Sequence, residues 1–259
     1  MSYGHRPVLR GATCSFPRGA ISVVLGGSGS GKSTILKLIG GLLRARSGRV
    51  MLGRQDISRL SESQLYEVRR QLGMMFQNGA LLDSLSVLEN LAFPLHEHSR
   101  LSRNEIVARV HERLSSVGLE DVDELMPREL SGGMVKRVAL ARALMQDPEV
   151  LLVDEPFSGL DPLSTKLIEA LLVRINRTLG MTMIVVSHHI PSTMRMAGHV
   201  VLLLPGGVVE GNPATLRNSE DASVRRFLTE DTDASEQILA HTHEFEAGEY
   251  NPVRRRGAS

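Results

Sequence analysis

Apolar residues are distributed along this chain in two rhythms. Four short runs, Ala20–Leu25, Val150–Val153, Met183–Val186 and Val200–Leu204, are almost unbroken by polar residues. Runs this short predict strands, and their lack of alternation predicts burial on both faces, as in a parallel sheet. Between them, apolar positions recur at helical spacing. Ile35, Leu36, Leu38, Ile39 and Leu42 follow the first run, and a longer amphipathic stretch from Leu163 to Leu179 follows the second. Strands alternating with such helices predict an α/β fold with a mainly parallel sheet covered on both faces.

The stretch from about 81 to 146 breaks the alternation. It holds no strand-like run and reads as helices over Ser86–Leu91, Asn104–Val117 and Gly133–Gln146. It is expected to be a helical subdomain inserted into the α/β core, within a globular part spanning residues 1–228. Past Leu228 the chain turns polar at Glu230, Asp231, Asp233 and Glu236, and it closes on Arg254, Arg255 and Arg256. Residues 229–259 are expected to form an extension, either solvated or draped over another surface. No internal repeat is present.

Composition narrows the function classes. A chain of 259 residues that is 42% hydrophobic can bury the core of one large domain. Its 30 Lys and Arg residues nearly balance 29 Asp and Glu, so there is no electrostatic case for a nucleic-acid partner. The one cysteine, Cys14, cannot form an internal disulfide. It suits a reducing cytoplasm, or is simply a small residue in a core. The start carries no signal-peptide pattern, and no apolar run reaches the length of a membrane span. Any membrane role is expected to run through a partner.

The chemistry begins where the first apolar run ends. Gly26-Gly27-Ser28-Gly29-Ser30-Gly31-Lys32-Ser33-Thr34 has the Gly-x4-Gly-Lys-Ser spacing of a phosphate loop, set between a strand and a helix as that motif requires. Glycines let backbone N–H groups face inward, and the helix N-terminus adds positive potential. Lys32 is placed to reach the outer phosphates, and the Ser33 hydroxyl to ligate Mg²⁺. The Val150–Val153 run ends in Asp154 and Glu155, at the strand end where parallel sheets bind ligands. Asp154 is expected to hold the metal, and Glu155 to orient or deprotonate the attacking water. Read alone, the two acids would serve equally well as helix caps. Gln77, after Met74-Met75-Phe76, and His188, after Ile184-Val185-Val186-Ser187, also stand at possible strand ends. Spacing alone leaves both open between structural and nucleotide-binding roles.

With these residues in hand, the chain resembles the ATPase subunits of ABC transporters over about Tyr3 to Leu228. The motifs fall in that family's order: the phosphate loop, Gln77, Leu130-Ser131-Gly132-Gly133-Met134 as the signature, Asp154-Glu155, Ser158-Gly159-Leu160-Asp161 as the D-loop, and Ser187-His188 as the switch. The resemblance implies a P-loop ATPase core with a small antiparallel β portion. It also implies two subunits that clasp ATP between them. Ser131, Gly132 and Gly133 would reach the γ-phosphate held by the other subunit. Asp161 would link the two sites, Gln77 would sit at the metal, and His188 would hold the γ-phosphate end. Tyr3 would stack on adenine, although the strand that the family usually places before this aromatic has almost no room here. His189 stands where the family commonly has Asp.

A narrower resemblance, to the ATPases of Mla-type lipid transport systems, rests on Met134, on Phe76 to Leu82 with Asn90 to Leu95, and on Gly248-Glu249-Tyr250. It implies phospholipid movement between bacterial inner and outer membranes, and a location at the cytoplasmic face of the inner membrane. The implied partners are a second copy of the chain, a membrane permease, an MCE-domain substrate-binding subunit and a STAS-domain subunit. The C-terminal extension would contact the other ATPase subunit, and Asn78 to Leu95 would receive a coupling helix of the permease. The rivals are the ATPase of another importer, for a small solute, and a soluble ABC ATPase unconnected with transport.

Overall fold

The computed structural model describes residues 2–3, 6–7 and 9–229. Strands β1 (Ser2–Tyr3) and β2 (Arg6–Pro7) pair antiparallel. A second short hairpin joins β4 (Met51–Leu52) to β5 (Gln55–Asp56). The central sheet holds six strands. They are β3 (Ile21–Gly26), β6 (Leu72–Met75), β7 (Val150–Asp154), β8 (Thr182–Val186), β9 (His199–Leu204) and β10 (Gly207–Gly211). Their order is β10-β9-β3-β8-β7-β6, all parallel except β10, which returns antiparallel beside β9. The four apolar runs are therefore β7, β8, β9 and the centrally placed β3.

Eight helices among the described residues are numbered in chain order: α1 (Lys32–Ile39), α2 (Glu62–Arg69), α3 (Val87–His98), α4 (Arg103–Ser116), α5 (Gly132–Ala143), α6 (Pro162–Leu179), α7 (Ile190–Met196) and α8 (Pro213–Arg217), and a further helical run covers residues 222–229. The period-2 geometry of a strand decides which face each core residue serves. In β3, Val23 and Leu25 join the large cluster with α3–α6, while Val24 packs on the other face with Ile35 and Leu36 of α1. In β8, Met183 and Val185 divide from Ile184 and Val186 in the same way. Burial on both faces is why these runs show no polar alternation.

Helices α3, α4 and α5 pack on one another, and α5 also rests on the edge strand β6. Ser86 and Ser102 cap α3 and α4, each in a reciprocal capping box with a Glu three residues on. The first of these helices runs past its expected end at Leu91 and through Pro94. A proline inside a helix forfeits one backbone hydrogen bond. The loss is tolerated here because Leu91, Ala92 and Leu95 on either side are buried.

Gly73 is what lets α5 approach the sheet. A Cβ on Gly73 would lie 2.3 Å from the Ala143 carbonyl oxygen and 2.9 Å from Pro148 Cγ. Gly73→Ala should therefore lift the end of α5 and cost about 1–3 kcal/mol, as overpacking does. A urea unfolding midpoint equal to that of the wild type would show that the approach is looser than this.

Candidate nucleotide site

The phosphate loop, Asp154, Glu155, His188 and Gln77 all lie at the carboxyl ends of parallel strands, or just past them: the loop after β3, both acids at the end of β7, His188 after β8 and Gln77 after β6. One sheet edge thus gathers residues that are scattered over the sequence. This is the edge where open α/β sheets bind ligands.

The loop is built for close approach. Gly29 and Gly31 have φ of 76° and 101°, a region that favours glycine. Gly26 has no room for a side chain, since a Cβ would come 2.6 Å from Ser30 Oγ. Helix α1 begins at Gly31 without a side-chain cap, so its first N–H groups remain as donors. Ser30 Oγ is buried without a hydrogen-bond partner. The Lys32 ammonium turns back onto the carbonyls of Gly26 (2.8 Å) and Gly27 (3.2 Å) and meets no carboxylate among the described residues. Spare donors, an orphaned hydroxyl and an unpaired cation fit a phosphate chain. Ser33 Oγ donates to Asp154 Oδ1 at 3.1 Å, which places a hydroxyl and a carboxylate together as hard oxygen ligands for a divalent ion.

Glu155 is 8% exposed and adopts φ 46°, an uncommon conformation for a residue with a side chain. Its N–H donates to the Val186 carbonyl at 2.9 Å. Its carboxylate lies 2.8 Å from His188 Nδ1 and accepts from the His188 N–H at 3.3 Å. The imidazole itself is exposed on the open side of the site. Gln77 is exposed and donates through Nε2 to Ser158 Oγ at 3.3 Å, joining the loop after β6 to the segment after Glu155.

The signature residues stand apart. Ser131 caps α5 by accepting from Met134 N–H, and Ser131 and Gly132 are exposed. Among the described residues no hydrogen bond joins Ser131–Gly133 to the phosphate loop. Asp161 caps α6, accepting from the N–H groups of Leu163 and Ser164 at 2.9 Å each. The Ser164 hydroxyl, bonded to the second oxygen, keeps the Asp161 carboxyl below its ordinary range. Tyr3 lies in β1, but its side chain falls outside the described residues, as do Gly248-Glu249-Tyr250 and Arg254–Arg256.

His189 now has a structural account. Its Nδ1 accepts from the Ser192 N–H at 3.2 Å and so caps α7, as Asp does at such positions, while its ring packs against Phe157 with centroids 5.7 Å apart. His189→Ala should lose about 0.5–2 kcal/mol of stability, and His189→Asp should retain the cap. Equal unfolding midpoints for all three proteins would mean that the cap contributes nothing.

One site residue has no reading from the sequence. It is Lys136 of α5, buried beneath Gln77 and Glu155, while Ser158, which opens the D-loop, receives the Gln77 amide. Helical phase offered a signal for it, since Lys136 shares the buried face of Ala139 and Leu140. Cys14 is half-buried, and burial, with the Glu210 charge adding, pushes its thiol up to about 11. It is a packed thiol rather than a reactive one.

A phosphate loop on a central parallel strand, with a carboxylate pair two strands away, defines a P-loop nucleotide-binding protein. Residues 9–158 match the ABC transporter family, and the chain belongs to it. The chain is 42% identical over 231 residues to the intermembrane phospholipid transport system ATP-binding protein MlaF of Haemophilus influenzae, covering 89% of this chain and 88% of that one. It is 40% identical over 228 residues to the probable ribonucleotide transport ATP-binding protein mkl of Mycobacterium tuberculosis, covering 88% of this chain and 64% of the other. A solved dimeric ATP-binding cassette, in a post-hydrolysis state bound to ADP and Pi, matches 82% of this chain and 94% of its own at 32% identity, with a TM-score of 0.76. The chain is an ATPase coupled to transport.

Proposed function

We propose that this chain energises phospholipid transport between the two membranes of a bacterial envelope, as one of two identical ATPase subunits. The lipid reading rests on one observation: the likeness to MlaF runs through 89% of the chain, well beyond the span of the family match. The dimer reading is supported by the Ser131–Gly133 turn, where Ser131 and Gly132 are exposed, Gly133 is half-buried, and no hydrogen bond among the described residues reaches the phosphate loop of the same subunit. This helix start has spare N–H donors.

In this reading Lys32 leaves the loop carbonyls to meet the outer phosphates, and residues Gly26–Thr34 enclose the phosphate chain with backbone N–H groups. Ser33, Asp154 and Gln77 would hold Mg²⁺, which when bound offsets phosphate charge. Glu155 orients the attacking water and takes its proton, while His188 stays bonded to that carboxylate and faces the γ-phosphate position. Catalysis is then chiefly a matter of positioning and charge stabilisation. Ser131, Gly132 and Gly133 complete the partner's pocket, Asp161 lies along the shared face, and Tyr3 supports the adenine.

Docking to a permease falls to the segment after Gln77. There Leu82 and Phe93 stay exposed at 42% and 48%, beside half-buried Leu81 and Leu85. No helix among the described residues is long and apolar enough to cross a membrane, so attachment at the cytoplasmic face of the inner membrane would come through that permease. MCE-domain and STAS-domain subunits complete the proposed assembly, with residues 229–259 reaching the other ATPase subunit.

Affinity purification of the tagged chain from its native membranes is the test. Recovery of a permease together with a lipid-carrying substrate-binding subunit is expected. A permease recovered with a binding protein that holds a small soluble solute would exclude lipid transport. That outcome would favour a solute importer, the reading that the mkl likeness supports.

A further inference from the structure

Lys136 lies in the second turn of α5 and is 6% exposed. Burial lowers its pKa from the ordinary lysine value, and the nearby Glu155 and Asp154 charges oppose that shift. A buried ammonium is costly unless its hydrogens are satisfied. It makes no ion pair among the described residues. It donates instead to two backbone carbonyls, those of Gln77 and Glu155, the second at 3.1 Å.

Both carbonyls sit at critical places. Glu155 holds a left-handed backbone that persists only where its surroundings over-determine it. The carbonyl of this strained residue receives two donors, Lys136 Nζ and the Ser158 N–H at 3.3 Å. Gln77 opens a segment that crosses α5 so closely that a Cβ on Gly79 would meet Val135 Cγ1 at 2.9 Å. From the next turns of α5, Arg142 donates to the Gly79 carbonyl at 2.8 Å and to Asn90 Oδ1 at 3.3 Å. Buried Asn90 in turn bonds Leu82 through both its N–H and its carbonyl. The helix that begins at Ser131 therefore grips the backbone of both loops.

We propose that Lys136 is a positioning residue for hydrolysis: its ammonium ties the backbones of Gln77 and Glu155 to α5, so that the Glu155 carboxylate is aimed only while the helix carrying the Ser131 turn is seated. This rests on the role proposed above for Glu155. Lys136→Met keeps the length of the stem and removes the donors. In the full-length protein, kcat for ATP hydrolysis should fall about ten- to hundredfold, as small misplacements of reacting groups do. The nucleotide dissociation constant should stay within about twofold, the split that marks an interaction needed in the transition state. Lys136→Arg, which restores a cation with donors, should recover part of the lost kcat.

Wild-type turnover in Lys136→Met would overturn the inference. So would a loss confined to nucleotide affinity, or an Arg variant no more active than the Met variant. Should Lys136→Met fail to fold, Lys136→Gln keeps one donor group and is read the same way, with a reduced kcat expected and an unchanged kcat overturning the idea. Glu155→Gln measured alongside separates the two proposals. If it is inactive while Lys136→Met turns over normally, only the Lys136 inference fails. If Glu155→Gln itself turns over normally, the underlying assignment fails.

Discussion

Glu155→Gln should bind ATP within about twofold of wild type while turnover falls by about a hundredfold or more, the usual scale for losing a positioned general base. The substitution keeps shape and volume, and the amide oxygen can still accept from the His188 N–H that now lies 3.3 Å from the carboxylate. The left-handed backbone at 155 is set by bonds from Lys136 and Ser158 and to Val186, none of which involves the carboxylate. The change therefore removes basicity and little else. In the two-subunit reading proposed above, the variant with ATP bound and not consumed should run as a dimer on size exclusion, and the wild type should separate after hydrolysis. Steady-state ATPase rates and nucleotide titration decide the matter. A variant that hydrolyses at the wild-type rate removes Glu155 from the role of orienting water.

Ser131→Arg has the second largest expected effect, and it isolates the pocket proposed to be shared between subunits. Ser131 is exposed, so a longer side chain is accommodated in the single subunit without a clash. Its own phosphate loop makes no hydrogen bond to this turn, so binding of nucleotide to one subunit should be unchanged. The guanidinium would displace the hydroxyl and the N–H donors from the partner's γ-phosphate. Loss of such donors typically costs about a hundred- to a thousandfold in kcat. Single-subunit titration together with turnover separates the two contributions. Undiminished hydrolysis would mean that each chain completes its pocket alone.

The parts of the fold that stood out in the sequence are those with a one-dimensional signature. Strands β3, β7, β8 and β9 are buried on both faces, so each shows a solid apolar run. Helix α6 is long and half-exposed, so it shows a clean stripe. Strand β6 gave little, because Leu72 to Met75 is short and Gly73 is there for the approach of α5 rather than for strand propensity. Strand β10 and the β4–β5 hairpin are short, partly exposed and close to glycine, and they carry too few apolar residues to stand out. The helix expected over Ser86–Leu91 instead runs through Pro94 to His98, because tertiary packing carries it past a residue that local propensity disfavours inside a helix.

Among the site residues, the phosphate loop was legible from spacing alone because its chemistry is carried by backbone geometry over consecutive residues. Asp154 and Glu155 gained meaning once that loop was recognised. Gln77 and His188 became specific only through the family resemblance. A single residue after a strand carries no pattern of its own.

What the amino-acid order determined by itself is local: where strands and helices form, where a phosphate can be cradled, and which strand ends in acids. What only the folded chain decided is adjacency. Ser33 meets Asp154, His188 meets Glu155, Gln77 reaches Ser158, and Lys136 bonds two loops at once. These pairings join residues brought together by parallel strands whose neighbours in space are distant in sequence. Hydrophobic rhythm reports how each segment buries its own faces, but it holds no information about which segment lies beside which.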